Sequence, residues 1–253
     1  MKEIVFGGFL IVILFIIYNF NKGNHSTQEQ QNMSIIQTPQ LHYLVRKPKV
    51  KSEKTPLVIL LHGVGSNEQN MFSFANHLPD EFLVVSARGP LTLGNGSYAW
   101  FQVQFTPNGP VINEGQAENS RKEILKFIED LKNVEDFDEH EVYFMGFSQG
   151  GIMSYSAALT EPEKFKGIAV MSGRLLPEVE PLVASNERLK NLKVFVSHGT
   201  SDHVLNFQYA LDATEYLKSK GLQPEFHQYQ EDHTINNEML TDVVKWLKES
   251  TSK

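Results

Sequence analysis

The chain has 253 residues, 41% hydrophobic and 21% charged, which is enough for one substantial core in an ordinary globular domain. Thirty acidic residues against 23 Lys and Arg give a formal charge of -7 and exclude the concentrated basic face that nucleic-acid binding needs. With Cys 0, disulfides, thiolate nucleophiles, cysteine-ligated zinc and a lipoprotein-type anchor are excluded as well.

Residues 4–20, IVFGGFLIVILFIIYNF, carry no charge and lie at the short end of what spans a hydrocarbon core. Residues 1–21 are therefore read as a transmembrane anchor or signal segment. The aromatics and amides that follow lack the small-residue pattern of a cleavage site, which favours an uncleaved anchor. A single N-terminal segment of this kind predicts membrane attachment with the rest of the protein extracytoplasmic, or secretion if the segment is cleaved. Residues 22–33, KGNHSTQEQQNM, read as a polar tether, and the globular domain is expected over 34–253.

From there two periodicities alternate, the pattern of α/β architecture. Strands are predicted at PLVILLHG (56–63), FLVVSA (82–87), EVYFMG (141–146), GIAVMSG (167–173), KVFVSHG (193–199) and PEFHQYQ (224–230). A helix is predicted over 116–131, where Ile124, Leu125, Ile128 and Leu131 share one face. Near-continuous apolar strands imply a mostly parallel sheet covered by helices on both faces, with ligands beyond the carboxyl ends of the strands.

GFSQGG (146–151) stands where a strand pattern passes into a helix pattern, and GFSQG fits G-x-S-x-G in the context a nucleophile elbow requires. Ser148 would be held with its hydroxyl above the sheet, while Gly146 and Gly150 allow close backbone approach. A serine hydroxyl needs a base and a carboxylate that orients it. Asp202, in the loop after KVFVSHG, has the right order and place for the acid. His233, between the last strand and the last helix, does so for the base; His203 would point away, His227 sits inside a strand pattern, and His62 and His198 read as packing residues. Oxyanion donors are expected from the backbone amides of Gln149 and of Val64 in HGVG. No metal-ligand spacing such as H-E-x-x-H occurs, and no cofactor or metal is expected.

Taken together, LLHGVGSNEQN, YAWFQ, GFSQGG, SHGTSDHVL and DHTI resemble the phospholipase/carboxylesterase family of α/β-hydrolases, relatives of the acyl-protein thioesterases. The resemblance covers roughly residues 57–247. It implies an α/β-hydrolase fold without a large cap domain, since only residues 175–192 separate two strands where a cap would be inserted. It carries the family's serine, aspartate and histidine onto Ser148, Asp202 and His233, and its oxyanion amides onto Val64 and Gln149. Tyr98, Trp100 and Phe101, in the aromatic segment 91–105, either line the acyl pocket as the family's corresponding loop does or pack as a core cluster. Asp232 departs from the small or apolar residue usual before the histidine. The expected activity is a serine carboxylesterase acting on short-chain, small-molecule esters through an acyl-enzyme. The alternatives are a thioesterase or peptidase with the same machinery, or a non-catalytic binding protein on a hydrolase scaffold.

Overall fold

A strand with helices on both faces has no polar side to show, and LVILL, LVVSA and GIAVM are such strands. The computed structural model describes residues 39–106 and 109–251. Its elements in chain order are β1 (Tyr43–Arg46), β2 (Leu57–Leu61), α1 (Glu68–Phe72), β3 (Leu83–Ala87), β4 (Leu91–Gly94), β5 (Ser97–Ala99), β6 (Val103–Thr106) and β7 (Gly109–Ile112). There follow α2 (Glu114–Leu131), β8 (Val142–Phe147), α3 (Gln149–Thr160), β9 (Gly167–Met171), α4 (Asn186–Leu189), β10 (Lys193–Gly199), α5 (Gln208–Ser219), β11 (Glu225–Tyr229) and α6 (Asn237–Ser250).

Seven strands form one sheet in the order β1-β3-β2-β8-β9-β10-β11. β1 runs antiparallel to β3, and every other pairing in the sheet is parallel. Successive residues of a strand face opposite sides. Leu57, Ile59 and Leu61 accordingly join the apolar cluster of α2, α3 and α5, whereas Val58 and Leu60 join that of α1 and α6. The predicted stripe of α2 is buried, with Asn113 capping the helix by accepting from the Gln116 amide. α3 is buried along its whole length between the sheet and α2, which suits its run of small and apolar residues.

All six predicted strands are present. β1 is an additional one, a half-exposed edge strand of four residues, too short for its YLVR run to set up a recognisable period. The segment expected to be a loop over 91–105 instead contributes to two small antiparallel hairpins, β4–β5 and β6–β7. Between β9 and β10 there is a 3₁₀ turn at Pro177–Leu182 and the single turn of α4, with no cap domain.

One expectation is corrected. Among the described residues no helix is long and apolar enough to cross a membrane. The run 4–20, the tether 22–33 and the start of the domain at residue 34 lie outside the described residues. The reading of a membrane-anchored, extracytoplasmic protein therefore has no support in the fold.

Candidate active site

β8 and α3 meet at Ser148, whose φ of 54° and ψ of -117° lie in a region that residues other than glycine rarely enter. The turn is held because the Ser148 amide donates to the Met171 carbonyl of β9 at 2.9 Å. Close packing fixes the flanking residues. A Cβ on Gly150 would collide with the Leu61 carbonyl, and one on Gly146 with the Gly150 carbonyl and the Ser154 Oγ. Backbone atoms in adjacent strands cannot give way, so Gly150→Ala is expected to cost about 3 kcal/mol, the upper end for overpacking. A urea unfolding midpoint equal to that of the parent would show that the turn can relax.

The Ser148 Oγ and the His233 Nε2 are 2.8 Å apart, and the His233 Nδ1 lies 2.7 Å from the Asp202 Oδ2. Asp202 follows β10 and His233 follows β11, so the parallel sheet delivers all three side chains to the carboxyl ends of its strands. Asp202 is fully served, since its Oδ1 accepts from the Val204 amide at 2.9 Å and the Leu205 amide at 2.7 Å. Burial pushes its carboxyl pKa up, but hydrogen bonds from His198, His233 and Leu205 outweigh that and hold the group well below the usual carboxylate range. It is therefore ionised, and an ionised acceptor fixes Nδ1 of His233 as the protonated nitrogen.

Asp232 ties the loops together. Its Oδ1 accepts from the backbone amides of His203 at 2.9 Å and His233 at 2.7 Å, and its Oδ2 lies 3.2 Å from the His203 Nδ1. The acidic residue before the histidine is thus a loop clasp. Phe147 packs its ring beside that of His233, with centroids 4.9 Å apart.

The other histidines divide between support and surface. His227 stacks on Phe195 in β10 and bonds Glu225, away from Ser148. His62 is buried, and burial pushes its pKa down; Nδ1 donates to the Gly63 carbonyl while Nε2 accepts from the Gly89 amide. His198, expected only to pack, does more: its Nε2 serves the Leu205 carbonyl at 2.8 Å and lies 3.2 Å from the Asp202 Oδ2. Its spacing of four from Asp202, across the end of a strand, was the signal available for that contact.

Neither the Val64 nor the Gln149 amide donates to another group among the described residues, and both residues border the cleft at Ser148. Gln149 stands at the positive N-terminal end of α3. Its side chain does work that the sequence did not disclose: Oε1 accepts from the Trp100 amide and Nε2 donates to the Phe101 carbonyl, each at 2.7 Å.

The cleft is small and lies between mostly apolar walls from Val64, Phe101, Val103, Pro110, Ile112, Ile152, Val204 and Leu205, with Arg174 among them. Of the three aromatic residues singled out, Phe101 reaches it. Tyr98 and Trp100 do not border it, and for Trp100 the other expectation, packing in the core, is the one that fits. Trp100 is buried beneath the site, where its Nε1 donates to the His62 carbonyl at 2.9 Å. Tyr98 bridges Gly65 and Ser66 through its backbone, which steadies the loop bearing Val64, and its ring lies 4.4 Å from the Arg88 guanidinium. Among the described residues no cluster of side chains could hold a metal ion.

The chain is similar to several known proteins. The family model described as Phospholipase/Carboxylesterase matches residues 42–251, beginning after the N-terminal apolar run. The chain is 30% identical over 204 residues to carboxylesterase SOBER1 of Arabidopsis thaliana, covering 76% of this chain and 89% of the relative. It is 27% identical over 239 residues to acyl-protein thioesterase 1 of Mycosarcoma maydis, covering 85% and 98%. Among solved structures, esterase PE8 superposes with a TM-score of 0.71 at 24% identity over 83% of this chain and 99% of that one. A carboxylesterase of Bacillus cereus does so with a TM-score of 0.71 at 21% identity over 84% and 95%. The mostly parallel sheet with helices on both faces is accordingly an α/β-hydrolase fold, and the chain belongs to the phospholipase/carboxylesterase family as a hydrolase of carboxylic esters.

Proposed function

We propose that the protein is a serine carboxylesterase that cleaves short-chain esters through an acyl-enzyme on Ser148. The observation that carries this reading is the hydrogen-bonded chain from the Ser148 Oγ through His233 to the Asp202 carboxylate, set in the wall of an apolar cleft. The His233 Nε2 takes the hydroxyl proton as the Ser148 Oγ bonds to the acyl carbon. Negative charge moves onto the carbonyl oxygen, where the amides of Val64 and Gln149 receive it, helped by the N-terminus of α3. Imidazolium is stabilised by Asp202 and returns the proton to the departing alkoxide. Water, deprotonated by the same imidazole, then releases the acid and restores Ser148.

Cleft size supports the short-chain reading. Each methylene gains about 0.8 kcal/mol, roughly fourfold in kcat/KM, only while it is still being buried. In so small a cleft, with no cap to extend its walls, that gain ends early. On p-nitrophenyl esters, kcat/KM is expected to rise over the shortest acyl chains and then fall, with long-chain triacylglycerols barely used. A steady rise through palmitate would overturn the short-chain assignment.

A further inference from the structure

The cleft at Ser148 is lined by apolar side chains with one charged exception, Arg174, which follows β9. The arginine is unusual in two respects. It is 9% exposed, yet among the described residues no carboxylate lies within ion-pair distance of its guanidinium. Its Nε is buried without a partner, and the Nη2 contact to the Pro110 carbonyl, at 3.5 Å, is at the outer limit for a hydrogen bond. The Tyr209 ring, with its centroid 5.4 Å away, shields the guanidinium from one side. A buried cation with unused donors is costly unless a counter-charge completes it, and the fork of a guanidinium matches a carboxylate. One cation in a cleft of this size balances a single negative charge, which favours a monoanionic carboxylate over a phosphate dianion.

We propose that Arg174 is a specificity residue, and that the preferred substrate is an ester carrying a free carboxylate that pairs with it. The inference rests on the reading of Ser148 as the nucleophile. With the ester carbonyl at Ser148 and the second carboxylate at Arg174, both ends of a small molecule would be held within one cleft. That places the substrate among half-esters of short dicarboxylic acids or acylated hydroxy acids, and a neutral ester of equal length would leave Arg174 unpaired.

The test compares length-matched pairs by titrating released acid. In one series, monomethyl glutarate and monomethyl adipate are set against methyl pentanoate and methyl hexanoate. In the other, the butyryl ester of 3-hydroxypropanoic acid, which carries its carboxylate on the leaving group, is set against propyl butyrate. The parent protein is expected to favour the carboxylate-bearing ester by about tenfold or more in kcat/KM in one series, the gain expected of one charge-assisted hydrogen bond. Arg174→Met should reverse that ratio, losing on the anionic ester and gaining on the neutral one, and Arg174→Lys should keep part of the preference. Neutral esters preferred in both series would overturn the inference while leaving Ser148 as nucleophile intact. Arg174→Met lowering both members of a pair in parallel, together with Tm, would reduce Arg174 to a brace between Pro110 and Tyr209 and overturn it too. A protein that hydrolyses neither series and resists fluorophosphonate at Ser148 would overturn the nucleophile assignment and this inference together.

Discussion

Ser148→Ala is expected to leave a folded protein whose ester hydrolysis has fallen by a factor on the order of 10⁴ or more. Losing the Oγ removes the bond-forming atom and leaves the Val64 and Gln149 amides with an oxyanion that no longer forms. The fold should survive, because the turn is held by the Ser148 amide on Met171 and by the packing of Gly146 and Gly150, which the substitution leaves in place. Alanine retains the same strained backbone angles as serine, so Tm should move little. Purified Ser148→Ala protein that still turns over p-nitrophenyl acetate at a tenth of the parental rate would place the nucleophile elsewhere.

His233→Ala should lose activity by a similar factor, since nucleophile and base act as a unit. Asp202→Asn is expected to lose somewhat less, because the loop amides of Val204 and Leu205 can still bond one side-chain oxygen while the orienting charge on Nδ1 is gone. His227→Ala is the contrast: it removes a ring stacked on Phe195 and should change stability more than rate. If His227→Ala were inactive and His233→Ala active, the base would be misassigned. Stopped-assay values of kcat/KM for the three variants decide between these outcomes.

The sequence was most informative where one local rule decides a position. Ser148 lies between a continuous apolar run and a helix pattern, and Asp202 and His233 each follow a strand, so chain order and parallel topology brought the three together. The strands were legible because burial on both faces leaves no polar alternation, as in Leu57–Leu61. What was hidden depends on pairings distant in sequence. The Gln149 side chain spans to Trp100 and Phe101, and only folding shows that this draws Trp100 beneath the site and leaves Phe101 at the cleft. His198 looked like a packing residue because its spacing of four from Asp202, the one sign of a second partner, runs across a strand end and not along a helix. The cleft wall formed by Val103, Pro110 and Ile112 lies on a short, partly exposed hairpin whose composition resembles a loop. Arg174 was invisible for the same reason: nothing near it in sequence says that it is buried without a carboxylate. The apolar run at residues 4–20 was easy to see, and the reading of anchorage built on it has no support among the described residues.

The most direct test of the central claim is covalent trapping. The parent protein is treated with a fluorophosphonate, digested, and the modified peptide sequenced by mass spectrometry, with His233→Ala run in parallel. A single adduct on Ser148, formed quickly in the parent and far more slowly when His233 is absent, is the predicted result. An adduct on any other residue, or labelling of Ser148 at the same rate without His233, would contradict it.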